Sequence, residues 1–151
     1  MPGIHEVRQL PYSAEQMFDL VADVGRYPEF LPWIMATRVR SDDGTEMVAD
    51  MLIGFSAIRE KFTSRVEKNR PGELRVHYID GPLRDLDNRW QFRALGPSEC
   101  EVDFSVQFTF RNALFEKLAG QYLDRAFRKM VAAFETRAAV LYGDAGTTSA
   151  A

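Results

Sequence analysis

Between Met47 and Phe110 apolar residues recur at every second position, and this period of two constrains the fold more than any other feature of the chain. In Met47–Phe55 the odd positions carry Met47, Ala49, Met51, Ile53 and Phe55. In Ile58–Val66 the even positions carry Ile58, Phe62 and Val66, with Arg59, Lys61, Thr63 and Arg65 between them. Leu74, Val76 and Tyr78 continue the pattern, as do Trp90, Phe92 and Ala94. It is cleanest in Cys100, Val102, Phe104, Val106, Phe108 and Phe110, which alternate with Glu101, Asp103, Ser105, Gln107 and Thr109. Successive side chains of a strand point to opposite faces, so this alternation predicts antiparallel strands with one face on a core and one in water. Gly54, Pro71-Gly72, Gly81-Pro82 and Gly96-Pro97 stand where such strands must turn.

The flanking segments change to a helical period. Ser13-Ala14-Glu15-Gln16 reads as a capping box, and Met17, Leu20, Val21 and Val24 follow at helical spacing. Asp23–Leu31 predicts a second short helix, interrupted by Pro28 and closed by Pro32. Asn112 caps a final helix that runs to about Tyr142. Its apolar stripe is Phe115, Leu118, Ala119, Tyr122, Ala126, Met130, Ala133, Phe134 and Leu141. At 1.5 Å per residue that helix is about 45 Å long. With His5–Leu10 as a first strand the order is β-α-α-β-β-β-β-β-β-α. This is an α+β helix-grip arrangement, a curved antiparallel sheet of about seven strands wrapped around the long C-terminal helix. The 151 residues suit one domain over 1–142, and the small, polar segment 143–151 is expected to be a disordered tail.

Chemistry is sparse. The net charge of −3 gives no basis for a DNA partner. The longest stretches without a charged residue, Phe30–Thr37 and Met51–Ile58, fall far short of the roughly 20 apolar residues of a membrane-spanning helix. Cys100 stands alone, which excludes an internal disulfide and a multi-cysteine zinc site. His5 and His77 fall on different strands, and no metal spacing, phosphate loop or nucleophile elbow occurs. No catalytic residue, metal or catalytic cofactor is therefore expected. Glu60, Ser64 and Asn88 share the inward parity of their strands. A carboxylate in an apolar cup is costly unless paired or protonated. Glu60 thus either meets the polar head of a ligand or, more simply, reaches water or Arg111 at the strand end. Gly120 marks either a kink or close approach in the final helix, or a merely tolerated glycine.

The segment Asp23-Val24-Gly25-Arg26-Tyr27-Pro28-Glu29-Phe30-Leu31-Pro32-Trp33 resembles the signature of the coenzyme Q-binding proteins of the START-like, polyketide cyclase superfamily. Gly54-Phe55, Glu60-Lys61-Phe62-Thr63-Ser64-Arg65-Val66, Trp90-Gln91-Phe92 and Ala133-Phe134-Glu135-Thr136-Arg137-Ala138 fit the same family in the same order. The resemblance implies ubiquinone or a related polyprenyl lipid, held between sheet and last helix in support of respiratory electron transport. Some bacterial members instead carry the description of ribosome association toxin and bind the large ribosomal subunit. A cyclase-like enzyme is the third reading. Met1 leads almost directly into the first strand, which favours a bacterial cytoplasmic protein, at most peripheral at the inner face of the membrane.

The expected pocket comprises Phe30, Leu31, Trp33, Met51, Phe55, Glu60, Phe62, Tyr78, Trp90, Phe104, Val106, Phe108, Leu118, Tyr122 and Met130. Without the resemblance most of these residues read equally as a filled core. Tyr27–Trp33 reads either as a satellite core or as a lid touching membrane. Arg59, Lys61, Arg65, Arg75, His77, Arg89 and Arg93 share the outward parity, with Glu67 as the acid among them. They predict a basic face that contacts anionic lipid or ribosomal RNA. The plainer alternative is a solvated face partly neutralised by Glu101 and Asp103.

Overall fold

The computed structural model describes residues 3–55 and 58–143, with the Phe55 side chain outside the description. Seven strands alternate with helices in the expected order: β1 (Gly3–Leu10), α1 (Ala14–Ala22), a 3-10 helix (Val24–Glu29), β2 (Ile34–Asp42), β3 (Glu46–Phe55), β4 (Ile58–Asn69), β5 (Glu73–Asp80), β6 (Leu83–Gly96), β7 (Glu99–Phe110), α2 (Ala113–Arg128) and α3 (Met130–Tyr142). The strands form one curved antiparallel sheet in the order β1-β7-β6-β5-β4-β3-β2. Each strand from β2 to β6 pairs with its successor, whereas β1 crosses over to β7. The segment between β1 and β2 must therefore span the whole sheet, which carries α1 and the 3-10 helix across its inner face.

The local signals act as their chemistry requires. Gln16 N–H donates to Ser13 Oγ at 3.0 Å while Ser13 N–H donates to Gln16 Oε1 at 2.9 Å, closing the capping box. Asn112 Oδ1 accepts from Phe115 N–H at 2.8 Å and starts α2. The edge strand β2 carries no readable alternation. It is exposed beyond Ile34, and its register with β3 shifts at Ile34/Ala36 and Val39/Ser41, which breaks the period of two.

The single 45 Å helix is corrected to two. The Lys129 amide points to the carbonyls of both Arg125 and Ala126 at 3.2 Å, a tightened turn, before Ala133 N–H resumes the helical ladder on Lys129 O at 3.0 Å. The break lies at Lys129 and not at Gly120, whose neighbourhood is regular helix. The two halves are held differently. On α3, Phe134 packs edge-on against Tyr27, Phe30 and Trp90, Glu135 pairs with Arg8, and Arg137 pairs with Glu29 beneath the Phe30 ring. The Tyr142 hydroxyl adds a bond to Gln16 O. Among the described residues no ion pair joins α2 to another element; Ala119, Leu123 and Ala126 bury its inner stripe. Residues 144–151, where the disordered tail is expected, lie outside the described residues.

Candidate functional site

Between the inner face of β3–β6 and the joined helices lies a cavity of about 100 Å³. The sheet supplies Met51 and Ile53, then Phe62, Ser64 and Val66, then Leu74 and Val76, and finally Leu86, Asn88 and Trp90. The roof consists of Leu123, Ala126, Phe127, Met130 and Phe134. One end is closed by Val21, Val24, Tyr27, Trp33 and Ile34. These residues converge because strand parity turns one side chain in two toward the helices, and because 123, 127, 130 and 134 recur at helical spacing.

Electrostatically the wall is close to inert. Among the described residues it includes no Asp, Glu, Lys, Arg, His or Cys side chain. The Tyr27 hydroxyl donates to Val21 O, and burial, with Asp23 nearby, raises its pKa and keeps the phenol neutral. Among the described residues, Ser64 and Asn88 are the non-aromatic polar side chains in the wall. No grouping of three or more His, Cys, Asp or Glu fit for a metal occurs among the described residues.

Trp33, Met51, Phe62, Trp90 and Met130 line the cavity, whereas the other described residues of the expected pocket do not. Phe104, Val106 and Phe108 are fully enclosed on β7, where they fill the space below the helices, so the cavity is displaced toward β3–β6. Phe108 packs on Phe127 and Phe104 on Trp90. Leu118 is 59% exposed, because the buried stripe of α2 runs through Ala119, Leu123 and Ala126 and turns Leu118 outward. Tyr122, one turn on, reaches Gly54 O at 3.5 Å instead of the cavity. Tyr78 spends its hydroxyl on the β5–β6 turn, accepting from Leu83 N–H at 2.9 Å and donating to Leu83 O at 3.1 Å. Gly81 makes this possible: at φ 153° and with no Cβ, it leaves room for that hydroxyl. Glu60 is half-buried opposite Ile53 at the start of β4 and does not line the cavity. The Phe55 side chain lies outside the described residues.

The Tyr27–Trp33 segment is packed core. Tyr27, Leu31 and Trp33 are buried in the main cluster, and Phe30 is partly covered by Phe134 and Arg137. Leu31 lies beneath the cavity end and Phe30 outside it, so Tyr27 and Trp33 supply the segment's share of the wall. Parity places Ser64 and Asn88 on the inner face, and the helical stripe read in the sequence holds Ala126, Met130 and Phe134, whereas Leu123 and Phe127 lie one position away from it.

The basic outer face is corrected. Arg75 lies 3.6 Å from Asp87, Arg89 2.8 Å from Glu73, Arg93 3.1 Å from Glu101, and both Arg65 and His77 approach Glu67. Register puts these acids on the same face as the arginines, directly opposite or diagonal to them, with Arg75 and Arg89 facing each other. Cys100 is buried, and burial, with Glu15 and Glu99 nearby, pushes its thiol up to about 11, so it offers no thiolate at neutral pH.

With this geometry in place, comparison with known proteins is informative. Residues 10–135 match the family model described as polyketide cyclase / dehydrase and lipid transport. The ribosome association toxin RatA of Pseudomonas aeruginosa is 36% identical over 134 residues, 89% of this chain and 93% of the relative. The mitochondrial coenzyme Q-binding protein homolog B of Xenopus laevis is 34% identical over 142 residues, 91% of this chain and 58% of the frog protein. The solution structure of an 18 kDa protein from Caulobacter crescentus shares 36% identity and superposes with a TM-score of 0.73, covering 95% of this chain and 100% of that one. The Zhui aromatase/cyclase of Streptomyces superposes with a TM-score of 0.79 over 91% of this chain and 93% of its own, at 13% identity. That last likeness concerns the fold alone.

Proposed function

The chain belongs to the polyketide cyclase / dehydrase and lipid transport family, and on that footing we propose that it is a non-enzymatic binding protein for a ubiquinone-like polyprenyl lipid, taken up between sheet and helices in support of respiratory electron transport. The observation that carries this reading is the wall chemistry: about twenty residues converge on one space, and none of them is charged. General acid–base catalysis needs a titratable group at the reacting atoms. Glu60, the first candidate for a cyclase-like mechanism, stands outside the cavity. Each buried CH₂ contributes about 0.8 kcal/mol, so a few isoprene units drive uptake without any ion pair.

The cavity of about 100 Å³ is smaller than the roughly 300–1,000 Å³ of small-molecule sites. The lipid-bound form is therefore more open. The helix α2, held by apolar contacts and joined to α3 through the tightened turn at Lys129, is the element that gives way; α3 stays clamped by Arg8, Glu29 and Gln16. No helix among the described residues is long and apolar enough to cross a membrane; the proposed role places the protein at the membrane surface, meeting lipid from the cytoplasmic side as a peripheral protein.

Ribosome association is the second reading, favoured by the names of near-full-length bacterial relatives at 34–36% identity. The paired outer face lends it little support. Native purification followed by solvent extraction and mass spectrometry separates the two. A quinone-like molecule near one equivalent per chain is expected. Lipid-free protein that co-sediments with ribosomes in a salt-sensitive way would instead establish the second reading.

A further inference from the structure

Among the described residues two non-aromatic polar side chains interrupt an otherwise apolar wall, and they stand on different strands. Ser64 is 6% exposed on β4, and its hydroxyl has no hydrogen-bond partner among the described residues. Asn88 on β6 donates from Nδ2 to Ser105 O at 2.9 Å, which leaves its Oδ1 and second N–H for the cavity it lines. The remaining phenol, Tyr27, is already bonded to Val21 O. From these observations we infer that the cavity selects a neutral ligand with two separated hydrogen-bonding oxygens, one met by Ser64 and the other by Asn88. This rests on the reading of the cavity as a lipid site.

Register sets the spacing. Ser64 is opposite Tyr78 and Asn88 opposite Val76, so the two positions are two strands and two residues apart. Strand spacing and rise put their Cα atoms about 12 Å apart, and the concave face brings the side chains closer. Standing on different strands, the two groups can each meet an oxygen of their own. A ring with opposed carbonyls, whose oxygens lie about 5 Å apart, spans the gap with one hydrogen bond at each end. A ligand carrying a carboxylate or phosphate is disfavoured, because the wall holds no cation to offset the burial of its charge.

The test uses two probes of equal tail, decyl-benzoquinone and decylbenzene, with wild-type protein and the variants Ser64→Ala and Asn88→Leu. Wild type is expected to prefer the quinone, and each variant to lose about tenfold in quinone affinity while holding decylbenzene as wild type does, tenfold being about 1.4 kcal/mol. Ser64→Ala breaks no protein hydrogen bond, so that arm stands even where Asn88→Leu fails to fold. Wild type that binds both probes equally, or variants that bind the quinone as wild type does, would overturn the polar pairing and leave lipid binding intact. Variants that lose both probes alike would mark Ser64 and Asn88 as structural and overturn it too. Wild type that binds neither probe overturns the lipid reading together with the inference.

Discussion

Val106 is fully enclosed on β7, between Phe104 and Phe108, and does not line the cavity. Val106→Phe therefore overpacks the interior and is expected to cost about 1–3 kcal/mol in urea unfolding of ligand-free protein; unchanged stability would reveal unfilled space under β7. Asp50 makes a second prediction. Burial works against its charge, yet hydrogen bonds from Thr63 at 2.7 Å and Arg40 at 2.8 Å outweigh it and hold the carboxyl below the usual range. A pKa depressed by folding stabilises above the unfolded value near 4 and loses that contribution as pH falls through the folded value. The stability gap between wild type and Asp50→Asn should thus be widest at neutral pH and close under acid, as acid titrations of both would show. Parity in the sequence located Ser64 and Asn88, but it reports a face and not a depth. Glu60 and Tyr78 share the inward parity, and one remains at the strand end while the other serves the β5–β6 turn.

At the level of elements, the alternation in β3–β7 and the two caps were legible because each is a local property. The break at Lys129 was not, since no proline or glycine stands there and the turn is tightened by one shared amide. Gly120 tests this assignment. A Cβ there would meet Phe110 and Glu116 at 3.7 Å, ordinary contact within regular helix. Gly120→Ala is expected to raise stability by about 0.5–1 kcal/mol in chemical denaturation, whereas a loss would mean the helix needs its freedom there. The outer face was misread because alternation assigns Arg75, Arg89 and Arg93 to it without showing that Asp87, Glu73 and Glu101 stand beside them. Reversing Arg65, Arg75 and Arg89 together should leave association with anionic vesicles at low salt unchanged. A marked loss would restore this face as a docking surface.

For the molecule as a whole, the proposed apolar ligand needs more room than the closed volume gives, so on this reading α2 moves before it fits. This yields a direct assay, because the chain's two tryptophans, Trp33 and Trp90, both line the cavity. A quinone bound there lies against both indoles and quenches them. Titration of the lipid-free protein with decyl-benzoquinone, followed by intrinsic tryptophan fluorescence, is expected to show quenching that saturates near one equivalent. Quenching that never saturates and matches that of the urea-unfolded chain would contradict a ligand in this cavity.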